Sequence, residues 1–109
     1  MNIEVLTHRA AEAEQLLKAL ANRSRLTILC QLQEGERAVA ELAGRVGLSQ
    51  SALSQHLARL RDDGLVTTRR EGTSIFYEIA DMRVSRVVSM LHDLYCNMDP
   101  ASEQKETTK

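Results

Sequence analysis

Between residues 40 and 70 the chain runs AELAGRVGLSQSALSQHLARLRDDGLVTTRR, a string with very few ways to fold. Leu53, Leu57 and Leu60 recur at i, i+4 and i+7, which places them on one face of a helix, while Gln50, Ser51, Ser54, Gln55 and Arg59 fall on the opposite face. Ser49 is suited to cap that helix, and Gly64 to end it in a left-handed conformation. Before it, Val39 to Val46 has the length of one short helix, and Gly47 supplies the tight turn between the two. The string therefore predicts helix, turn, amphipathic helix and then a strand that ends on Arg69 and Arg70. Short uncharged hydrogen-bonding side chains near a helix N-terminus match base edges and phosphates, so the outward face is a candidate for reading duplex DNA.

The rest of the chain extends this unit on both sides. Thr7 to Ala21 carries Ala10, Ala13, Leu16 or Leu17, and Leu20 at helical spacing and forms a first helix. Asn22 and Ser24 offer caps for a second, Ser24 to Gln33, which buries Leu26, Leu29, Cys30 and Leu32 and stops at Gly35. Leu65 to Arg70 and Ile75 to Ala80 are β-rich runs around Glu71-Gly72-Thr73-Ser74, a hairpin with glycine at its tip. Asp81 caps a last helix that reaches Cys96, with Val84, Val87 or Val88, Leu91 and Leu94 on one face. The expected fold is mainly α with a β-wing, a winged helix-turn-helix of order αααα-ββ-α. Residues 1–96 form its DNA-binding and dimerisation domain, and the polar segment 97–109 is expected to be disordered.

At 109 residues the chain suits one domain, and a fold of that size withdraws only about 60 to 70% of its unfolded surface from water. Apolar stripes on the first and last helices, beyond what so small a core can use, point to a homodimer joined through them. A symmetric dimer would present two recognition helices to successive major grooves, about 34 Å apart, and so read an inverted repeat. Aromatic content of 3% with no Trp leaves the core to Leu, Val, Ile and Ala, which favours packed helices. No apolar run approaches the roughly 20 residues of a membrane span, and Met1 to Arg9 lacks a basic region followed by an apolar stretch, so a cytoplasmic protein without membrane partners is expected. The net charge of −1 looks wrong for a nucleic-acid binder until it is divided: residues 37–70 carry +3 and the remainder −4.

With these residues in place, LSQSALSQHLARLRDDGLV followed by a basic wing and FYEI resembles the ArsR-type bacterial repressors over about residues 10 to 96. The resemblance implies a winged-helix homodimer that occupies a double-stranded operator until an inducer releases it. Many such repressors hold metal through a cysteine pair on the third helix, in the pattern E-L-C-V-C-D-L. The matching stretch here is Glu36-Arg37-Ala38-Val39-Ala40-Glu41-Leu42, with alanine at both thiolate positions. A second family metal site needs histidines where this chain has Arg83 and Leu94, although Asp81 is present. No resident metal or other cofactor is expected.

Cys30 in LTILC and Cys96 in LYC remain, and their flanks resemble the sulfide-responsive branch of the family, the BigR, SqrR and HlyU type. That resemblance implies redox sensing by Cys30 and Cys96, which become linked by reactive sulfur species or an oxidant and so lower DNA affinity. Facing Cα atoms on packed helices approach to roughly 3.5 to 5.5 Å, and a disulfide needs about 4.4 to 6.8 Å. Any offset from facing positions favours a polysulfide bridge over a disulfide, which would give selectivity for persulfide over peroxide. The competing reading of Cys30 alone is a small buried hydrophobe. A soft-metal site of Cys30, His92 and Cys96 is another alternative.

For DNA, Gln50, Ser51, Ser54 and Gln55 are candidates for base edges, with His56 equally able to hydrogen-bond within the fold. Arg59, Arg61, Arg69 and Arg70 are candidates for phosphates, and a wing arginine can also enter the minor groove. An enzyme is not indicated: nucleophile, base and orienting acid do not occur together, and no phosphate-binding glycine loop is present. A DNA-bound protein that displaces another would activate instead of repress, and this alternative stays open.

Overall fold

Three side-chain caps set the starts of the principal helices. Asn22 accepts a hydrogen bond from the Arg25 amide (3.0 Å), Ser49 from the Ala52 amide (3.1 Å) and Asp81 from the Arg83 amide (2.9 Å), each satisfying an otherwise orphan N–H. The computed structural model describes residues 1–96, so the expectation of a disordered tail at 97–109 lies outside the described residues. Its elements are α1 (Ile3–His8), α2 (Ala10–Leu20), α3 (Arg23–Gln33), β1 (Arg37–Ala38), α4 (Val39–Val46), α5 (Gln50–Asp62), β2 (Val66–Glu71), β3 (Ser74–Ile79) and α6 (Met82–Cys96). The strands form one antiparallel sheet in the order β1-β3-β2.

The core lies where α3, α4, α5 and α6 converge. Ile28, Leu29, Leu42, Leu53, Leu57, Leu60 and Val84 are its largest fully buried side chains. Leu53, Leu57 and Leu60 hold the inner face of α5 as their spacing requires, which leaves the opposite face to solvent. Gly47 joins α4 to α5 with φ +69° and ψ 32°, a left-handed conformation that costs a residue with a side chain roughly 1–2 kcal/mol. The α4-turn-α5 pair and the β2–β3 hairpin are the helix-turn-helix and wing expected from sequence. A two-residue turn, Gly72-Thr73, closes the hairpin with glutamate and serine paired across it.

Four features depart from the sequence reading. The first helix is two: α1 ends at His8, and Arg9, with φ −106° and ψ 18°, starts α2 without a side-chain cap. No residue of α1 is buried, so no packing in the single chain holds the two helices in line. A third strand, β1, pairs Arg37 with Tyr77 and Ala38 with Phe76. In α3 the core face is Arg25, Ile28, Leu29 and Leu32, at i, i+3, i+4 and i+7. Leu26 is half-buried and Cys30 exposed, so the buried-hydrophobe reading of Cys30 is corrected; both lie on a separate stripe facing α6.

Arg25 is the fourth surprise, a cation only 9% exposed. Its Nε donates to the Ala19 carbonyl (2.7 Å) and its Nη2 to the Lys18 carbonyl (3.1 Å), satisfying the last carbonyls of α2. Burial pushes its pKa down, and a guanidinium keeps its charge under such pressure.

At the start of α6, Arg83 grips the Asp81 carboxylate, with Nη2 at 2.6 Å from Oδ2 and Nε at 3.1 Å from both oxygens. The guanidinium, helped by the Arg83 backbone N–H, holds the Asp81 carboxyl below its ordinary value despite partial burial. A carboxyl lowered on folding contributes its full stability above the unfolded value of about 3.9 and loses it as pH falls through the lower folded value. Asp81→Asn should therefore flatten the acid side of the stability profile below about pH 4 and leave its shape at neutral pH unchanged. Denaturant midpoints measured across that range check this.

Candidate nucleic-acid interface and thiol groove

The outward face of α5 gathers most of the sequence candidates. Gln50, Ser51, Ser54, Gln55, Arg59 and Arg61 are exposed, and His56 is half-buried on the flank of the helix. Gln50 and Ser54 also border a cleft of about 330 Å³ shared with Thr73, Ser74 and Tyr77 of the hairpin. The wing thus reaches beside the first turns of α5. Thr73 and Ser74 were not singled out from sequence; their place at the tip of a hairpin beside a recognition helix was the available signal.

The cations are not equivalent. Arg37 is held by Glu34 (2.6 Å) and Glu41 (2.9 Å), and Arg45 by Glu41 (3.1 Å), so both are used within the fold. Arg59 lies 3.6 Å from the Asp63 carboxylate, an exposed pair that costs little to break. Arg69 is bound to Glu36 through two hydrogen bonds, 3.0 and 2.8 Å, and to Glu71 through a third of 3.0 Å. Among the described residues, Arg61 and Arg70 form no ion pair and are exposed. The cations of this segment that form no ion pair among the described residues are therefore two, one at the end of α5 and one on the wing.

A second feature lies on the far side of α3. Cys30 and Cys96 line one mainly apolar groove of about 540 Å³ between α3 and the C-terminal half of α6, together with Leu26, Gln33 and Tyr95. Both are free thiols. Neighbouring packing pushes the Cys30 thiol pKa up, and a negative charge on Cys96 adds to the rise. Gln33, one turn beyond Cys30, donates to the Ser85 carbonyl (3.3 Å) and the Ser89 Oγ (3.1 Å), which ties α3 to α6 beside the thiols.

His92 borders the same groove. No group of three His, Cys, Asp or Glu side chains among the described residues is placed to hold a metal ion, and the His92 Nδ1 lies 3.6 Å from the Asp93 carboxylate. At the other family position, the Asp81 carboxylate is occupied by Arg83.

Apolar side chains remain uncovered at both ends of the chain. Leu6 and Leu17 border a shallow trough along α1 and α2, and Met90, Leu94 and Tyr95 stand out from α6. No helix of the described residues is long and apolar enough to cross a membrane.

Comparison with known proteins agrees with this architecture. The family described as "Bacterial regulatory protein, arsR family" matches residues 22–68, from the cap of α3 into β2. The transcriptional activator HlyU of Vibrio cholerae is 51% identical over 96 residues, covering 88% of this chain and 89% of that one. The crystal structure of the transcriptional repressor BigR from Xylella fastidiosa superposes with a TM-score of 0.85 at 40% identity, over 88% of this chain and 98% of that one. The homodimeric winged helix-turn-helix DNA-binding domain of Mb0332 from Mycobacterium bovis gives a TM-score of 0.68 at 40% identity, over 79% and 82%. The chain belongs to the arsR family of bacterial regulatory proteins and is a winged helix-turn-helix, DNA-binding transcriptional regulator, not an enzyme.

Proposed function

We propose that this regulator binds an inverted-repeat operator as a homodimer while Cys30 and Cys96 are reduced, and leaves it when the two are linked. The observation that carries the reading is the groove between α3 and α6 that these cysteines, remote in sequence, both line, Cys30 from α3 and Cys96 from α6. The uncovered apolar faces of α1, α2 and α6 support dimerisation through the first and last helices, and Mb0332 is a homodimer of the same fold. In such a dimer Gln50, Ser51, Ser54 and Gln55 meet base edges, while Arg59, Arg61 and Arg70 meet phosphates. Thr73 and Ser74 add hydroxyls from the wing.

The chemistry balances without a cofactor. A cysteine thiolate attacks the outer sulfur of a persulfide, RSSH, and takes it as Cys–SSH while RS⁻ leaves. When both cysteines have reacted, the terminal sulfur of one attacks the Sγ of the other and expels HS⁻, leaving a three-sulfur bridge. The two cysteine sulfurs are oxidised by one electron each, one of the two transferred sulfurs is reduced to sulfide, and the other stays as the middle atom of the bridge. Peroxide would instead take two electrons from the thiols, giving a disulfide and two waters. A bridge from α3 to the end of α6 pulls on a helix of the dimer face, and so changes the spacing of the two α5 helices without rearranging either.

Mass spectrometry after separate treatment with glutathione persulfide and peroxide tests the reaction. Persulfide should join the Cys30 and Cys96 peptides with one added sulfur and weaken operator binding. A fall in affinity with no link between these peptides would contradict the proposal. A readily formed disulfide with Cα atoms near 5.5 Å, the relaxed distance of about 5.5 to 6 Å, would remove the explanation of persulfide selectivity.

The name of the Vibrio cholerae relative supports a second outcome for the same DNA-bound state. A dimer that displaces another protein from DNA activates transcription, and footprinting in the presence of such a competitor separates activation from repression.

A further inference from the structure

Arg69 and Arg70 are neighbours in sequence with opposite surroundings. In the sheet order β1-β3-β2, Arg69 lies on one outer strand, pairs in register with Phe76 of the middle strand, and Phe76 in turn pairs with Ala38 of the other outer strand. The Arg69 guanidinium lies over the Phe76 ring, 4.7 Å from its centre, and reaches Glu36 at the entrance to β1. It therefore spans the whole width of the sheet. Both Glu36 oxygens receive N–H donors, and Glu71 holds the remaining arm. Such a bidentate, ring-stacked network is the arrangement in which a partly exposed ion pair does contribute. Arg70 faces the other side of the strand, opposite Ile75, and is unpaired among the described residues.

We infer that Arg69 and Glu36 are positioning residues: together they strap the wing to the β1 edge and so hold Arg70 where it meets a DNA phosphate. Arg69 itself does not contact phosphate in this arrangement. The inference rests on the wing meeting DNA, and it assigns different work to two arginines that sequence treats alike.

Three single variants and one double variant test it, with reduced protein and a duplex selected by the wild type from a random-sequence pool. Glu36→Gln removes a negative charge near DNA, so charge alone would tighten binding; loss of the strap should weaken it by about threefold to tenfold. Arg69→Lys keeps the charge but loses the fork and the stacking, and should weaken binding similarly with a salt slope lowered toward that of Arg70→Ala, whereas a direct phosphate contact kept by lysine would leave the slope unchanged. Combining the two should cost no more than either alone. Arg70→Ala should lower the salt slope by about one unit. Faster amide exchange along β2 in Glu36→Gln, with an unchanged circular dichroism spectrum, would support a loosened wing in a folded protein. Tighter or unchanged binding by Glu36→Gln, or an unchanged salt slope in Arg69→Lys, would overturn the inference. Wild-type protein that selects no duplex would overturn the DNA reading of the wing instead.

Discussion

Cys96→Ser protein should bind operator DNA as tightly as reduced wild type and keep that affinity after glutathione persulfide, whereas wild type should lose about 5- to 150-fold, the usual span of coupling between two sites. The expected separation follows from position. Cys96 is on α6 beside the thiol groove, away from α5 and the wing, so replacing its sulfur leaves the DNA-facing side chains untouched. Serine cannot hold the second sulfur of a bridge. Cys30→Ser should behave in the same way, although its raised thiol pKa makes the wild-type reaction depend on how readily Cys30 ionises. Fluorescence anisotropy with a labelled duplex, before and after treatment, checks both variants. A Cys96→Ser protein that still loses affinity would remove the bridge from the mechanism.

The second large effect is on stability. Leu57 is 1% exposed at the centre of the α5 inner face, and Leu57→Ala should cost about 2–5 kcal/mol through lost transfer energy and the cavity left behind. Domains of this kind have only about 5–15 kcal/mol to lose, so the variant should unfold at a clearly lower urea midpoint. Because Leu57 sits one residue from His56 and three from Ser54, its loss also loosens the platform that presents the outward side chains of α5. Urea titration followed by circular dichroism checks the magnitude, and a midpoint equal to wild type would contradict the packing described for α5.

Much of this architecture was legible because local signals agreed with tertiary ones. The leucines of α5, the Ser49 cap and the Gly47 turn each impose the same helix boundaries from different physical causes. What was not legible depends on contacts between distant residues. β1 is only two residues long and exists because Arg37 and Ala38 pair with Tyr77 and Phe76. Arg25 carries no pattern that distinguishes a buried cap from a solvated cation; the free carbonyls of Ala19 and Lys18 decide it. Helical spacing groups Cys30 with Leu26 and Leu29, yet Ile28 and Leu29 already fill the core face at that level. The same limit applies to the site. The candidates on α5 follow from helical periodicity, but the different fates of Arg69 and Arg70 require the strand register and the location of Glu36.

The central claim is that a bridge between Cys30 and Cys96 weakens DNA binding, and the affinity of one protein in two covalent states tests it most directly. Wild-type protein shown by mass to carry the bridge in full should bind the selected duplex at least about fivefold more weakly than the reduced protein at the same salt concentration, and a thiol reductant should restore the original affinity. Equal affinities for the bridged and reduced proteins would contradict thiol control of this regulator.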